Sequence, residues 1–202
     1  MSSEKHEMIC YNNDCYICVY TRQEEEKCCC LSLHELTRDC KNDIKGKLFP
    51  VFILDAEYLN MFINFSIPHP DFIVGFLRSD DKFSIRLIEV KRILPKGKEE
   101  FKIEQIRKAI DEQLVRFFNS KVQPILTRFN IGNKIDIKFL LVVPKNVYND
   151  VNDIIDPHKL PKLIKKYKLN ELKDPALKAI ATGLVKPFYC EALDPSCNTS
   201  GD

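Results

Sequence analysis

Apolar residues gather in short runs separated by polar clusters, and the runs differ in period. Met8 to Thr21 reads as two short strands about the polar turn Asn12-Asn13-Asp14. Ser32-Leu33-His34-Glu35 has the form of a capping box opening a helix toward Asn42. Leu48 to Leu54 predicts a buried strand, with Pro50 inside it as a discordant note. Two more strands, Asp71–Leu77 and Ser84–Arg92, flank the polar turn Ser79-Asp80-Asp81. Glu99–Asn119 then changes period: Ile103, Ile106, Ile110 and Phe117 recur at helical spacing. Lys134–Val143 predicts a strand whose second half is wholly apolar, which places it centrally in a sheet. The remainder reads as a lysine-rich, largely helical region with a polar tail.

This order predicts an α/β fold, a mixed central β-sheet flanked by helices. The expected organisation is a Cys-rich N-terminal β-hairpin extension over 1–30, a core over 31–150, and a Lys-rich helical C-terminal region over 151–202 packed on the core. No internal repeat interrupts that picture.

Composition narrows the class. With 202 residues, 45% hydrophobic and 30% charged, the chain can bury a core and is not a disordered one. The longest apolar run, Leu48–Leu54, is too short to span a bilayer, and Met1–Glu7 lacks the apolar core of a signal peptide. The expectation is an intracellular protein without a membrane partner, in the cytoplasm, or in the host cytoplasm if viral. The richness in Lys, Ile and Cys resembles proteins of hyperthermophilic archaea and their viruses.

A net charge of +2 excludes a uniformly basic coat, yet the charge is uneven. Residues 1–30 sum to −3, whereas 159–178 carry seven lysines against Glu171 and Asp174 for +5. Such a stretch can attract a polyanion, and it equally describes a solvated helix face.

Candidate chemistry centres on Pro70-Asp71 and Glu89-Val90-Lys91. An acid-x-lysine triplet alone carries little weight, because the chain holds several others. Position separates this one. Residues two apart on a strand share a face, so Glu89 and Lys91 project together. If the two strands fold symmetrically about residue 80, paired numbers sum to 160, and Asp71 falls opposite Glu89. Carboxylates about 4.5–5.5 Å apart repel. A divalent cation between them reverses the sign, and magnesium suits two carboxylates with water and phosphate oxygens completing its shell. A neighbouring lysine stabilises charge on a scissile phosphate or positions the attacking water.

Pro70-Asp71 with Glu89-Val90-Lys91 resembles the core motif of the PD-(D/E)XK nuclease superfamily, which includes archaeal Holliday-junction resolvases, many restriction enzymes and RecB-type exonucleases. The resemblance covers roughly 31–145 and implies a restriction-endonuclease-like core. It further implies that Asp71 and Glu89 bind Mg2+ or Mn2+, that the Val90 carbonyl assists, and that Lys91 is the catalytic lysine. Family members often carry an acid on the first helix, a position Glu35 fills, and some carry Gln-x-x-x-Tyr on the later helix. Gln113-Leu114-Val115-Arg116-Phe117 is similar, with phenylalanine for tyrosine.

Each auxiliary residue has a plainer reading. Glu35 completes a capping box, and Asp55 and Glu57 compete for its role as a third acid. Gln113 sits on the apolar stripe 106, 110, 113, 117, where it can satisfy a backbone group. Asp136 and Lys138 repeat the acid-x-lysine pattern on a strand but lack an opposing acid. Nine cysteines, seven of them before residue 41, allow structural disulfides or free thiols, with structural zinc on Cys15-x-x-Cys18 and Cys28–Cys30 the less favoured alternative and an iron–sulfur cluster on the same residues the least favoured.

The expected activity is a divalent-metal-dependent endonuclease acting on DNA as a homodimer, with junction-resolvase-like structure specificity. The alternative is an inactive nucleic-acid-binding or regulatory protein on the same fold. Arg92, Lys96, Lys98, Lys162, Lys165 and Lys166, with Arg107 and Lys108, are the expected backbone contacts.

Overall fold

A computed structural model describes residues 4–11, 14–21, 24–32, 48–78, 83–91, 99–144, 147–170 and 173–192, through residue 51 as backbone only. The expected helix beyond Ser32 toward Asn42, with Glu35, and the turn Ser79-Asp80-Asp81 lie outside these residues, while Ser32 itself ends a strand. So do Arg92, Lys96, Lys98, Cys40 and Cys197.

The body is a mixed sheet of five strands with helices against it. They are β4 (Leu48–Asp55), β5 (Phe72–Arg78), β6 (Phe83–Val90), β7 (Ile135–Pro144) and β8 (Val185–Ala192). β4, β5 and β6 pair antiparallel in sequence; β6–β7 and β7–β8 pair parallel. Three further strands, β1 (Glu4–Tyr11), β2 (Asp14–Thr21) and β3 (Glu24–Ser32), continue the sheet beyond β8, giving the order β1-β2-β3-β8-β7-β6-β5-β4.

Helix α1 (Ala56–Ile63) links β4 toward β5. α2 (Glu99–Ala109) runs on through two π-helical segments, Ile110–Val115 and Phe118–Val122, into α3 (Gln123–Arg128). The C-terminal helices are α4 (Tyr148–Ile155), α5 (Leu160–Tyr167) and α6 (Pro175–Ala181).

The alternation of β6 and β7 explains why these two strands are buried on both faces. Leu87, Phe139, Leu141 and Val143 meet Ile103, Ile106, Ile110 and Leu114 of the long helical stretch, together with Val151, Ile154, Leu177 and Ile180. On the reverse face Phe72, Val74, Phe76, Ile88, Val90, Leu140 and Val142 form a second cluster. The central position expected for Lys134–Val143 is therefore the one observed. Helices α4–α6 share the first core with β6 and β7, and ion pairs tie α2 to them: Lys102 with Asp150 at 2.7 Å, Lys166 with Glu99 at 2.6 Å, and Arg107 with Asp174.

Three sequence expectations need correction. The region after Val143 is not helical throughout, because β8 returns to the sheet; Pro187 and Lys186 mask a Val-x-x-Phe-Tyr strand that pairs with β7. Eight residues after β4 form α1, whose N-terminus is capped by Asp55 accepting from Tyr58 N at 2.8 Å. The helix expected to end near Asn119 continues to Arg128, and its first π turn shifts the buried stripe by one residue. Leu114 is fully buried, and Gln113 is only half-buried rather than on the apolar face.

Glycine is required at one sheet position. Gly75 lies across from Phe52, and a Cβ there would stand 2.3 Å from the Phe52 ring. The aromatic ring uses the space a side chain would occupy, so β4 packs closely on β5 at the end of the described strand order.

Candidate active site

The β5–β6 register meets the expectation from the sequence. Phe72 pairs with Ile88, Ile73 with Leu87 and Gly75 with Ile85, all summing to 160. Asp71 stands one step before Phe72, and Glu89 one step after Ile88. Both therefore lie at the same end of the antiparallel pair, on the face that carries Leu87 and Leu141.

Their side chains are differently engaged. The Asp71 carboxylate accepts from the Val90 backbone N–H at 2.6 Å, while the Asp71 carbonyl accepts from Ala56 N at 2.9 Å. Asp71 thus fastens the start of β5 to the end of β6 and to the first residue of α1. Glu89 is 4% exposed, and its Oε1 lies 2.6 Å from Lys91 Nζ. Lys91 in turn donates its backbone N–H to Val142 O at 2.8 Å, which holds the residue in line with the parallel pair. A buried carboxylate needs charge compensation, and here a lysine whose side chain is 35% exposed supplies it.

Asp55 ends β4 opposite Phe72, so by strand alternation it lies on the other face of the sheet from Asp71 and Glu89, and its carboxylate is occupied in capping α1. Among Asp71, Glu89 and Lys91 the formal charge is −1. Two carboxylates and a cation-attracting field fit magnesium or manganese, which take one or two protein carboxylates with water and phosphate oxygens in the other positions. Among the described residues, no group of three or more His, Cys, Asp and Glu side chains is arranged to hold a metal ion. Asp71 and Glu89 would be the protein's ligands, with Val90 between them donating its N–H to one of them.

The loop before Asp71 carries a histidine that the sequence reading passed over. His69 packs against Phe65 with ring centroids 5.4 Å apart, and its Nδ1 lies 3.1 Å from Pro70 O. Phe65 also meets Phe117 edge-on at 5.2 Å, which anchors this loop to the helix carrying Gln113. The signal was present in Pro68-His69-Pro70-Asp71, where two prolines hold the histidine beside the acid. Phe117 is a core residue, buried and packed on Phe65; it presents no hydroxyl where a tyrosine would.

The competing triplet is used otherwise. Arg86 is fully buried and pairs with Asp136 at 2.9 Å, and Ser84 Oγ donates to the same carboxylate at 3.3 Å. Lys138 Nζ donates to Gly183 O at 3.2 Å. These residues lie toward the start of β7 and on the face opposite Glu89.

Of the expected backbone-binding lysines, Lys162 and Lys165 are exposed on α5, whose other side packs Leu160 and Leu163 inward. Lys166 is held by Glu99 and by its neighbour Tyr167. Its hydrogen bond to Glu99 is the main cause of an ammonium pKa raised above the ordinary lysine value. No helix among the described residues is long and apolar enough to cross a membrane. Comparison with protein families, with curated proteins and with solved structures returned no match.

Proposed function

We propose that the protein is a divalent-metal-dependent endonuclease that hydrolyses DNA phosphodiester bonds, with a restriction-endonuclease-like core; its Cys-rich N-terminal extension is a three-stranded meander rather than the expected hairpin. The observation that carries this reading is the register that brings Asp71 and Glu89 to one end and one face of the β5–β6 pair, with Lys91 on Glu89. The element order also supports it: the β5–β6 hairpin carrying the acids is followed by a long helical stretch and then by β7 in a mixed sheet, the order the motif resemblance implies.

Asp71 and Glu89 would hold Mg2+ or Mn2+, which when bound lowers the charge barrier to attack on phosphorus. Asp71, already bonded to Val90 N, is oriented by the backbone. Lys91 would move its ammonium from Glu89 toward a phosphate oxygen and neutralise charge developing there. Lys162 and Lys165 would contact backbone phosphates without reading sequence. Cleavage of two strands by a homodimer belongs to the same reading.

Binding without cleavage is the second reading, favoured by the direct Glu89–Lys91 contact, which gives the buried carboxylate a counter-charge without a metal. Labelled four-way junction, flap, duplex and single-stranded DNA, incubated with Mg2+ or Mn2+, separates the two. Metal-dependent cutting by the wild type that is lost in Glu89→Gln and Lys91→Ala is the expected result. Equal DNA binding by all three proteins with no cutting of any substrate would establish the second reading.

A further inference from the structure

The backbone register of the N-terminal strands sets cysteines directly across from one another twice. Cys10 pairs with Cys15 between β1 and β2, and Cys18 pairs with Cys30 between β2 and β3. Opposed Cα atoms in an antiparallel ladder are about 4.5 or 5.5 Å apart, according to the kind of pair. Disulfides span Cα separations of about 4.4–6.8 Å, so either kind meets the backbone requirement without strand movement. The same register speaks against a metal half-site on Cys15-x-x-Cys18. Residues three apart on a strand belong to opposite faces, and the only irregularity in the β2–β3 register falls later, between Val19 and Thr21.

We propose that Cys10–Cys15 and Cys18–Cys30 are two cross-strand disulfides on opposite faces of the three-stranded meander, formed by exchange with a small-molecule disulfide such as oxidised glutathione. In each, one cysteine thiolate attacks the RS–SR bond and releases a thiolate. The second cysteine then displaces the remaining RS group. Two cysteinyl thiols are oxidised and one RS–SR is reduced to two RSH, so electrons and protons balance. The bonds pin the register where it is most exposed to error. The meander joins the rest of the sheet through Cys29↔Ala192 and Cys30↔Glu191. A one-residue slip of β2 on β3 would transfer every side chain to the other face. Covalent links from β3 to β2 and from β2 to β1 forbid that slip. This inference does not depend on the nuclease reading.

The full chain, equilibrated with oxidised glutathione, alkylated and cleaved before aspartate and after lysine and arginine without reductant, tests it. Cleavage before Asp14 separates Cys10 from Cys15, and cleavage after Arg22 and Lys27 separates Cys18 from Cys30. The expected species is peptides 6–13, 14–22 and 28–38 held together by two bonds, with fragmentation locating them at Cys10–Cys15 and Cys18–Cys30. Cys18→Ser should release peptide 28–38 alone, and Cys10→Ser should release 6–13 alone. Complete alkylation of all nine cysteines, any other pairing within this trio, or stoichiometric zinc shielding the thiols would overturn the proposal.

Discussion

Glu89→Gln separates a metal ligand from a structural ion pair, because the two roles predict stability changes of different size. The substitution keeps the side-chain volume and an acceptor for Lys91 but removes the charge. Breaking a pair in which both charges are buried costs roughly 3–5 kcal/mol, since an uncompensated charge is left inside. Here the charge left behind is the Lys91 ammonium, whose side chain is 35% exposed and can hydrate, while the group removed is a carboxylate 4% exposed. Loss of attraction and relief of carboxylate desolvation therefore oppose each other, and the metal-free stability should change by no more than about 1 kcal/mol. Metal linkage behaves differently. At a free metal concentration 100 times Kd the wild type should gain about 2.7 kcal/mol, which for a chain of 202 residues is a Tm rise of roughly 5–10 °C. Thermal unfolding followed by circular dichroism, in chelator and then in increasing Mn2+, measures both quantities. The expected pattern is near-equal Tm values in chelator and a manganese-dependent rise in the wild type alone. A variant destabilised by about 3 kcal/mol or more in chelator, beside a wild type that manganese does not move, would make Glu89–Lys91 a structural pair. The metal reading would then fall.

Gly75→Ala places a Cβ 2.3 Å from the Phe52 ring, and the required shift of a half-buried aromatic should cost about 1–3 kcal/mol in urea unfolding; no loss would mean that β4 yields freely. Asp111 has its carboxyl pushed above the ordinary value of 3.8, chiefly by burial and then by Asp174. Stability tied to its neutral form is fully present below 3.8 and lost as pH rises through the folded value, so Asp111→Asn should raise Tm at pH 7. That advantage should vanish in acid, and an equal gain at every pH would refute the assignment. If α5 lies on DNA, Lys162→Ala with Lys165→Ala should reduce the slope of log affinity against log salt by about 2, and an unchanged slope would remove these lysines from the interface. Lys166→Ala should move that slope less, because its ammonium is held by Glu99.

Strands with dense apolar runs were legible in the sequence because burial on two faces leaves little ambiguity. β5, β6 and β7 fall close to where their residues predict them, and the turn-centred register followed from counting alone. β8 was not legible: Lys186, Pro187 and Cys190 dilute its pattern, and its partner, β7, is distant in sequence, so only tertiary pairing reveals it. α1 was missed for another reason. Its side facing solvent carries Tyr58, Met61, Phe62 and Ile63, so the amphipathic alternation that would mark a helix is absent. Gln113 illustrates a third limit, since a stripe drawn at 3.6 residues per turn slips once a π turn intervenes. Asp71 and Glu89 were legible as neighbours, but not the detail that Asp71 takes the Val90 N–H while Glu89 takes Lys91.

The position of these two acids follows from strand direction. β4 runs antiparallel to β5, and β5 to β6, so β4 points the same way as β6, β7 and β8. Four strands therefore present their carboxyl ends at one edge of the sheet, and β5 begins there. Asp55 ends β4 on one face, and on the other face Asp71 precedes β5 while Glu89 and Lys91 flank Val90, the last residue of β6. In open α/β sheets the crevice outside the carboxyl ends is where ligands bind, because the backbone leaves the sheet there and side chains can converge without breaking ladder hydrogen bonds. β5 is the exception that matters. As the one antiparallel strand among these five, it brings its amino end to that edge, and with it an acid that a fully parallel sheet would have placed at the opposite end. Reversing the parity of either hairpin strand by one inserted residue would turn Asp71 and Glu89 to different faces. A single alanine inserted between Leu77 and Ser84 that simply lengthens the turn should leave metal binding intact. The same insertion between Asp71 and Val74 should abolish it while the fold persists. Equal metal binding by both insertions would show that the shared face of Asp71 and Glu89 has no part in it.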